Sequence, residues 1–201
     1  MSAIDFDNLR SRFHLPDDKV YLDGNSLGAL SHHTEARLLE VISTEWADEL
    51  VSGWSTKHWI DLPLSVGDQI APIIGAKPGT VVCCDSLSIN LFKALTACLE
   101  VNKNRNLISL EDGQFPTDSY IADGLSQLLG SDRCRTKVID IAALTPETLA
   151  ESAALLLSHV DYKSGALRDM HAMTRMAQSV GCLVIWDVAH SAGAIDMDLE
   201  A

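Results

Sequence analysis

From residue 80 onward the chain alternates between two hydrophobic rhythms. Short apolar runs stand at 81–84, 107–110, 138–141, 154–157 and 183–186. Runs of this length, rich in branched side chains, predict strands rather than free-standing helices. The stretches between them, about 88–99, 118–129, 146–152 and 168–180, repeat apolar residues every three or four positions, which predicts amphipathic helices. Strand and helix in alternation predict an α/β fold, a parallel-rich sheet with helices on both faces. The run from Cys182 to Trp186 is unbroken by any polar residue, which predicts a strand buried on both sides.

Before residue 80 the pattern differs. Residues 1–20 are polar apart from an amphipathic patch of Ile4, Phe6, Leu9 and Phe13. YLDGNSLG at 21–28 holds two glycines, an Asp and an Asn, and predicts an irregular loop. A helix is expected over about 34–50, capped by Thr34, with Leu39, Ile42, Trp46 and Leu50 on one face directed to a core. SGWSTKHWI at 52–60 has no clean period and carries Trp54, Lys57, His58 and Trp59; it reads either as a loop that floors a binding site or as a packed connector. A second helix is expected over 62–74. The organisation expected is an N-terminal helical arm over 1–75 and a sheet-containing domain over 76–201.

Composition narrows the function classes. Fifteen basic against 28 acidic residues leave a net charge of −13, which argues against nucleic acid or an anionic membrane as partner. Cys83, Cys84, Cys98, Cys134 and Cys182 are odd in number and have no C-x-x-C spacing. They read as reduced, mostly buried thiols of a cytoplasmic protein. No leader, membrane span or metal-ligand motif is recognised.

Chemistry is expected where strands end, because open α/β sheets bind ligands beyond the carboxyl ends of their strands. Asp187 closes the run 183–186 and is followed by His190; it either meets a ligand or caps the next turn. Ser86 and Ser88 open the helix at 88, whose free N–H groups suit a phosphate, although serines also cap helices without a ligand. Neither G-x-x-x-x-G-K-[ST] nor G-x-G-x-x-G is present, so nucleotide-phosphate loops are not indicated. In QFPTD, Pro116 restricts Phe115 to an extended conformation, so that its ring either stacks on a flat cofactor or packs as a buried residue. Ser158 and His159 follow another strand. An anion site, a stacking ring and a carboxylate suit a flat phosphorylated heteroaromatic such as pyridoxal phosphate, whose ring nitrogen an Asp can face.

YLDGNSLG (21–28), SINLFKAL (88–95), FPTD (115–118), VDYKSG (160–165) and IWDVAHSAGA (185–194) resemble, in this order, the kynureninases. The resemblance runs over nearly the whole chain. It implies the large domain of a fold-type-I pyridoxal-phosphate transferase, here incomplete. It implies a hydrolase of tryptophan catabolism, on the kynurenine pathway toward NAD biosynthesis, that cleaves the Cβ–Cγ bond of L-kynurenine or its 3-hydroxy form to an anthranilate and L-alanine. Carried over by motif, Leu87 and Ser88 meet the cofactor phosphate, Phe115 covers the ring, and Pro116, Thr117 and Asp118 belong to the same cofactor segment. Ser158 and His190 line the cofactor, and Asp187 pairs with its ring nitrogen. Asn25, Ser52 and Trp54 approach the substrate.

The family's Schiff-base lysine lies in a Tyr-Lys pair beyond the D-x-x-H segment, and none of the seven lysines here matches that motif; Lys163 follows Tyr162, but within VDYKSG, ahead of Asp187 and His190. The resemblance therefore implies an N-terminal portion of a homodimeric enzyme, inactive by itself. Two other readings stay open: another enzyme of the same fold, such as a cysteine desulfurase or aminotransferase, and a non-catalytic α/β binding module.

Overall fold

The computed structural model describes residues 5–199 and divides into two units, one ending at Ser65 and one beginning at Val66. No helix among the described residues is long and apolar enough to cross a membrane.

The first unit is a series of short helices. Helix α1, Phe6–Arg10, is capped by Asp5, which accepts from the Asn8 N–H at 3.0 Å. The 21–28 segment is a turn, as its glycines predict. Helix α2 covers His32–Glu40 and is capped by Ser31 rather than Thr34. Ser31 is the residue still in extended conformation, so its hydroxyl is free to accept the Thr34 N–H at 3.0 Å. The helix then widens into a π turn, Val41–Trp46, before α3, Ala47–Glu49. Ser43 and Thr44 donate their hydroxyls back to the Leu39 and Glu40 carbonyls, both at 2.7 Å, a pattern that bends helices.

The expectation that Leu39, Ile42, Trp46 and Leu50 face a core is overturned, since each is more than half exposed. The π turn shifts the helical phase, and Leu50 leaves the helix with φ 51°. Among the described residues of this unit only Glu45 and Gly53 are buried. Glu45 is held by Arg37 Nη2 at 2.7 Å and Trp59 Nε1 at 2.8 Å, and the Arg37 contact lowers its pKa. The 52–60 segment, expected as a loop, folds into helical turns: α4, Gly53–Thr56, and a 3-10 turn, Trp59–Asp61. The expected helix at 62–74 is α5, Leu62–Ile70, followed by a 3-10 turn, Ala71–Ile73.

The second unit carries the sheet. Strands β1 (Leu107–Glu111), β2 (Arg135–Ile139), β3 (Ser152–Ser158) and β4 (Leu183–Asp187) pair in parallel in the order β2-β1-β3-β4. Every residue of β1 and β3 is buried. Helices α6 (Leu87–Val101) and α7 (Pro116–Leu129) cover one face, packing Leu91, Leu95, Leu99, Ala122 and Leu125 on Ile108, Leu110 and Leu156. Helices α8 (Pro146–Leu149) and α9 (Met170–Ser179) serve the other, where Leu149 and Ala177 meet Leu155, Leu157 and Ile139. Right-handed crossovers account for this split. The chain moves outward from β1 to β2 over one face, then from β3 to β4 in the opposite direction over the other. A bulge at Ala153, where Leu107 pairs with Ser152 but Ile108 with Ala154, turns Ala153 toward the same cluster as Leu156.

Several expected boundaries move for physical reasons. The 81–84 run forms no ladder among the described residues; the Asn90 side chain takes the Cys84 carbonyl at 2.8 Å instead. Strand β2 begins at Arg135, earlier than its apolar run, and its exposed Arg135 and Lys137 suit a sheet edge. Helix α8 stops at Leu149 because Ser152 enters β3, where its Oγ meets Ser109 Oγ at 2.8 Å. Strand β4 is half-buried from Leu183 to Trp186 rather than fully buried, since no strand pairs with its outer edge among the described residues. Only Cys134 and Cys182 of the five thiols are buried, with Cys83 exposed, so the expectation of mostly buried thiols is also corrected.

Two polar residues fasten the amino ends of the strands. Asn102 donates to the carbonyls of Ala153 and Gly181, and Arg105 to those of Ser152 and Val180.

Leu156 lies fully buried in the central strand. Leu156→Ala is expected to destabilise the protein by about 2–5 kcal/mol, read as a lower urea midpoint; an unchanged midpoint contradicts the packing described.

Candidate functional site

The direction of winding reverses between β1 and β3, so the crevice beyond their carboxyl ends is the topological switch point of the sheet, where ligands bind in open α/β folds. Glu111 ends β1, Ser158 ends β3 and Asp187 ends β4, with Ser158 and Asp187 directly paired in register. All three are buried.

Asp187 accepts the Ala189 N–H through Oδ1 at 2.8 Å, so the capping role open to it in the sequence is real. Its other oxygen, Oδ2, is buried without a partner. Asp118, in the first turn of α7, is fully buried and neighbours Asp187. Gln114 Nε2 donates to Asp118 Oδ2 at 2.7 Å, while Asp118 Oδ1 has no partner. Burial raises the Asp118 carboxyl to about 6; the Gln114 bond opposes this, while the Asp187 charge and a hydrogen bond between the two carboxyls when Asp118 is protonated add to it. Among the described residues the buried oxygens lacking a partner are Glu111 Oε1, Gln114 Oε1, Asp118 Oδ1 and Asp187 Oδ2. Buried polar groups are almost always satisfied, and all four here are acceptors. The cluster therefore has an unmet demand for a donor or a cation.

The helix starts fit their sequences. Pro116 occupies the first turn of α7 and Phe115 its N-cap, without a side-chain cap bond. The helix thus begins two residues before the start near 118 that the sequence suggests, because proline at the first position is already set for helix. Thr117 is half-buried and Pro116 exposed. The Phe115 ring packs edge-on against Tyr162 at 4.9 Å and lies 6.1 Å from His190. Tyr162 and His190 are 6.2 Å apart, so the three rings form one group, with the Lys163 amine over the Tyr162 ring at 5.3 Å. In α6, Ser86 is the cap and accepts from Ile89 at 3.4 Å. Leu87 and Ser88 are the first two helical residues, whose N–H groups helix geometry leaves unmatched. Asp85, with φ 48°, is paired to Lys93 just ahead of them.

The structure thus gathers Phe115, Thr117, Asp118, Ser158, Asp187 and His190 around the strand ends. Asn25, Ser52 and Trp54 belong to the first unit: Asn25 is in the exposed turn, Ser52 bonds Glu49 Oε2 at 3.1 Å, and Trp54 is exposed. Sequence reasoning left Glu111, Arg168, Gln114, Tyr162 and Ser191 without a role. Glu111 is buried at a strand end and paired with Arg168 at 3.3 Å, and burial raises its pKa against that pairing. The signal was available, since LISLE ends on an acid as LVIWD does. His159 bonds Ser191 Oγ at 2.9 Å, and burial lowers its pKa.

No family model matches the chain. It is 43% identical over 197 residues to a kynureninase of Burkholderia pseudomallei (strain 1106a) and 42% identical to one of Pseudomonas fluorescens, covering 96% of this chain and 47% of each relative. The chain thus spans about half the length of the curated relatives it matches. Among solved structures it is similar to the apo cysteine desulfurase of Thermococcus onnurineus NA1, with TM-score 0.71, 16% identity and coverage of 96% and 50% of the two chains. It is also similar to a C-DES mutant with glycine covalently linked to its PLP cofactor, with TM-score 0.67, 19% identity and coverage of 94% and 51%. At these identities the structural likeness establishes the fold alone, a parallel sheet with helices on both faces shared with about half of each of these two chains.

The raised Asp118 carboxyl has a consequence for pH. Its folded pKa lies above the ordinary value of 3.8, so its contribution to stability is full below about pH 4 and is lost as pH rises through about 6. Asp118→Asn is expected to flatten this dependence and to stabilise the ligand-free protein at pH 7 by about 1–3 kcal/mol, at ~1.4 kcal/mol per pKa unit. Urea melts at about pH 4 and pH 7 measure it; parallel shifts of wild type and variant refute it.

Proposed function

We propose that this chain is the cofactor-binding portion of a kynureninase, a pyridoxal-phosphate-dependent hydrolase that converts L-kynurenine to anthranilate and L-alanine, and the 3-hydroxy substrate likewise. The observation that carries this reading is Asp187 Oδ2, a buried carboxylate oxygen without a partner at the end of β4. It is the acceptor that a protonated ring nitrogen requires. The identity of 42–43% along nearly the whole chain favours kynureninase over the cysteine desulfurases, which are similar at 16%.

The residues present fit the group. Asp187, oriented by the Ala189 N–H, would hold a proton at the ring nitrogen, with Asp118 beside it bonded by Gln114. Phe115 covers one face of the ring, braced by Tyr162. The N–H groups of Leu87 and Ser88 receive the phosphate at the positive end of α6. Ser158 and His190 supply further hydrogen bonds, and Pro116 and Thr117 set the angle at which Phe115 and Asp118 enter the crevice. When bound, pyridoxal phosphate supplies an electron sink. Asn25, Ser52 and Trp54 act on the substrate side.

The same reading makes residues 1–75 an arm and 76–201 the first part of a larger domain of a cytoplasmic homodimer, which the exposed apolar side chains of the first unit support. The aldimine lysine lies outside these 201 residues, which alone do not turn over kynurenine.

Borohydride reduction of the protein from its native source, followed by peptide mapping, tests this. A pyridoxyl-labelled lysine outside these residues is expected, and label on Lys163 overturns the assignment. Asp187→Ala is expected to weaken cofactor binding by about 30-fold or more, as loss of one member of a buried charged pair does; wild-type affinity in a fluorescence titration refutes the role of Asp187.

A further inference from the structure

The first unit holds a group of potential metal ligands that the proposed chemistry does not use. His14, His32 and Glu35 each offer one ligand atom, and the three atoms lie within 4.8 Å of one another. Two separate backbone segments bring them together. An antiparallel bridge joins Phe13 to Ser31, flanked by His14 N–H to the Leu30 carbonyl at 2.8 Å and His32 N–H to the Arg12 carbonyl at 3.0 Å. This pairing sets the two imidazoles side by side, with ring centroids 3.9 Å apart. His32 and Glu35 are three apart on α2, hence on one side of the helix. Ser31 fixes the start of that helix by capping it. His14 Nε2 already reaches Glu35 Oε2 at 2.8 Å.

The geometry points to a divalent transition-metal site formed by His14 Nε2, Glu35 and His32, independent of the cofactor reading. Two imidazoles and one carboxylate are the donor set of open zinc sites, with further positions left to water. Ligand atoms of a tetrahedral zinc stand about 3.3 Å apart for bonds of ~2.0–2.1 Å. The His14–Glu35 contact therefore opens by about half an ångström, a rotamer adjustment for side chains that are both exposed. Imidazole and carboxylate donors select zinc, nickel, cobalt or copper over magnesium and calcium. The net charge of −13 raises the local concentration of cations. A metal held here links the segment before the YLDGNSLG turn to the first turn of α2, closing the loop between them.

Calorimetric titration of the full, chelator-treated chain with Ni²⁺ and with Zn²⁺ tests the site. One Ni²⁺ per chain is expected, because nickel prefers these donors to the cysteine thiols. His14→Ala, His32→Ala and Glu35→Gln should each weaken it by at least ~10-fold, while His33→Ala, on the adjacent exposed residue, leaves it unchanged. The near-isosteric Glu35→Gln keeps the metal-free fold, checked by circular dichroism, so its loss of binding reports the ligand itself. Wild-type protein should also melt at a higher temperature with saturating Ni²⁺, a shift absent from His14→Ala. No saturable binding, equal affinity in the three variants, or loss in His33→Ala overturns the proposal.

Discussion

The second unit depends on one constraint, the burial of β1 and β3 side by side at the centre of a parallel sheet. A parallel strand cannot return by a hairpin, so every connection must cross a face. Because crossovers keep one hand, departures from this central pair in opposite directions put α7 on one face and α8 and α9 on the other. The two apolar clusters and the crevice at the carboxyl ends are both results of that reversal. The crevice is a place where the backbone parts, and loops rather than side-chain packing fill it.

The acids at that crevice set stability against chemistry. A core with a buried carboxylate pair and orphan acceptors is less stable than one with satisfied or apolar groups. Glu111 is offset by Arg168, but Asp118 and Asp187 neighbour each other with only Gln114 and the Ala189 N–H as donors. A bound cation or protonated ring relieves both the repulsion and the missing hydrogen bonds. The arrangement thereby favours the occupied state over the empty one.

Much of the sheet was legible in the sequence because burial on both faces leaves a mark no other element leaves, an apolar run without alternation. Strands β3 and β4 carry it, and β1 carries it with Ser109 as an interruption. The 81–84 run carries it too and forms no ladder, since an apolar run reports burial and not the presence of a neighbouring strand. β2 was shifted because an edge strand needs polar residues where a central strand does not. Asp187, Phe115 and Asp118 stood out through their position at strand and helix ends. Glu111 carries the same strand-end position as Asp187, but its pairing with Arg168 joins residues 57 positions apart, and no local pattern records that pairing. In the first unit the three- and four-residue spacing of Leu39, Ile42 and Trp46 predicted a buried face. That spacing records an apolar face but not what covers it: Leu39 is exposed ahead of the π turn, and among the described residues of the unit only Glu45 and Gly53 are buried.

Asn102 and Arg105 bear on how the molecule comes apart. Their side chains reach carbonyls 47 to 79 residues further along the chain. Contacts of that separation repay a large loop-closure entropy only after both β3 and the turn behind α9 are in place. Together the two residues form a latch on the amino-terminal rim of the sheet, at the opposite end from the crevice. Contacts absent from the folding transition state slow unfolding without changing the folding rate, and long-range side-chain bonds of this kind are candidates for that role. The rim thus supplies kinetic persistence, while the carboxyl ends of the same strands keep their unsatisfied groups for a ligand.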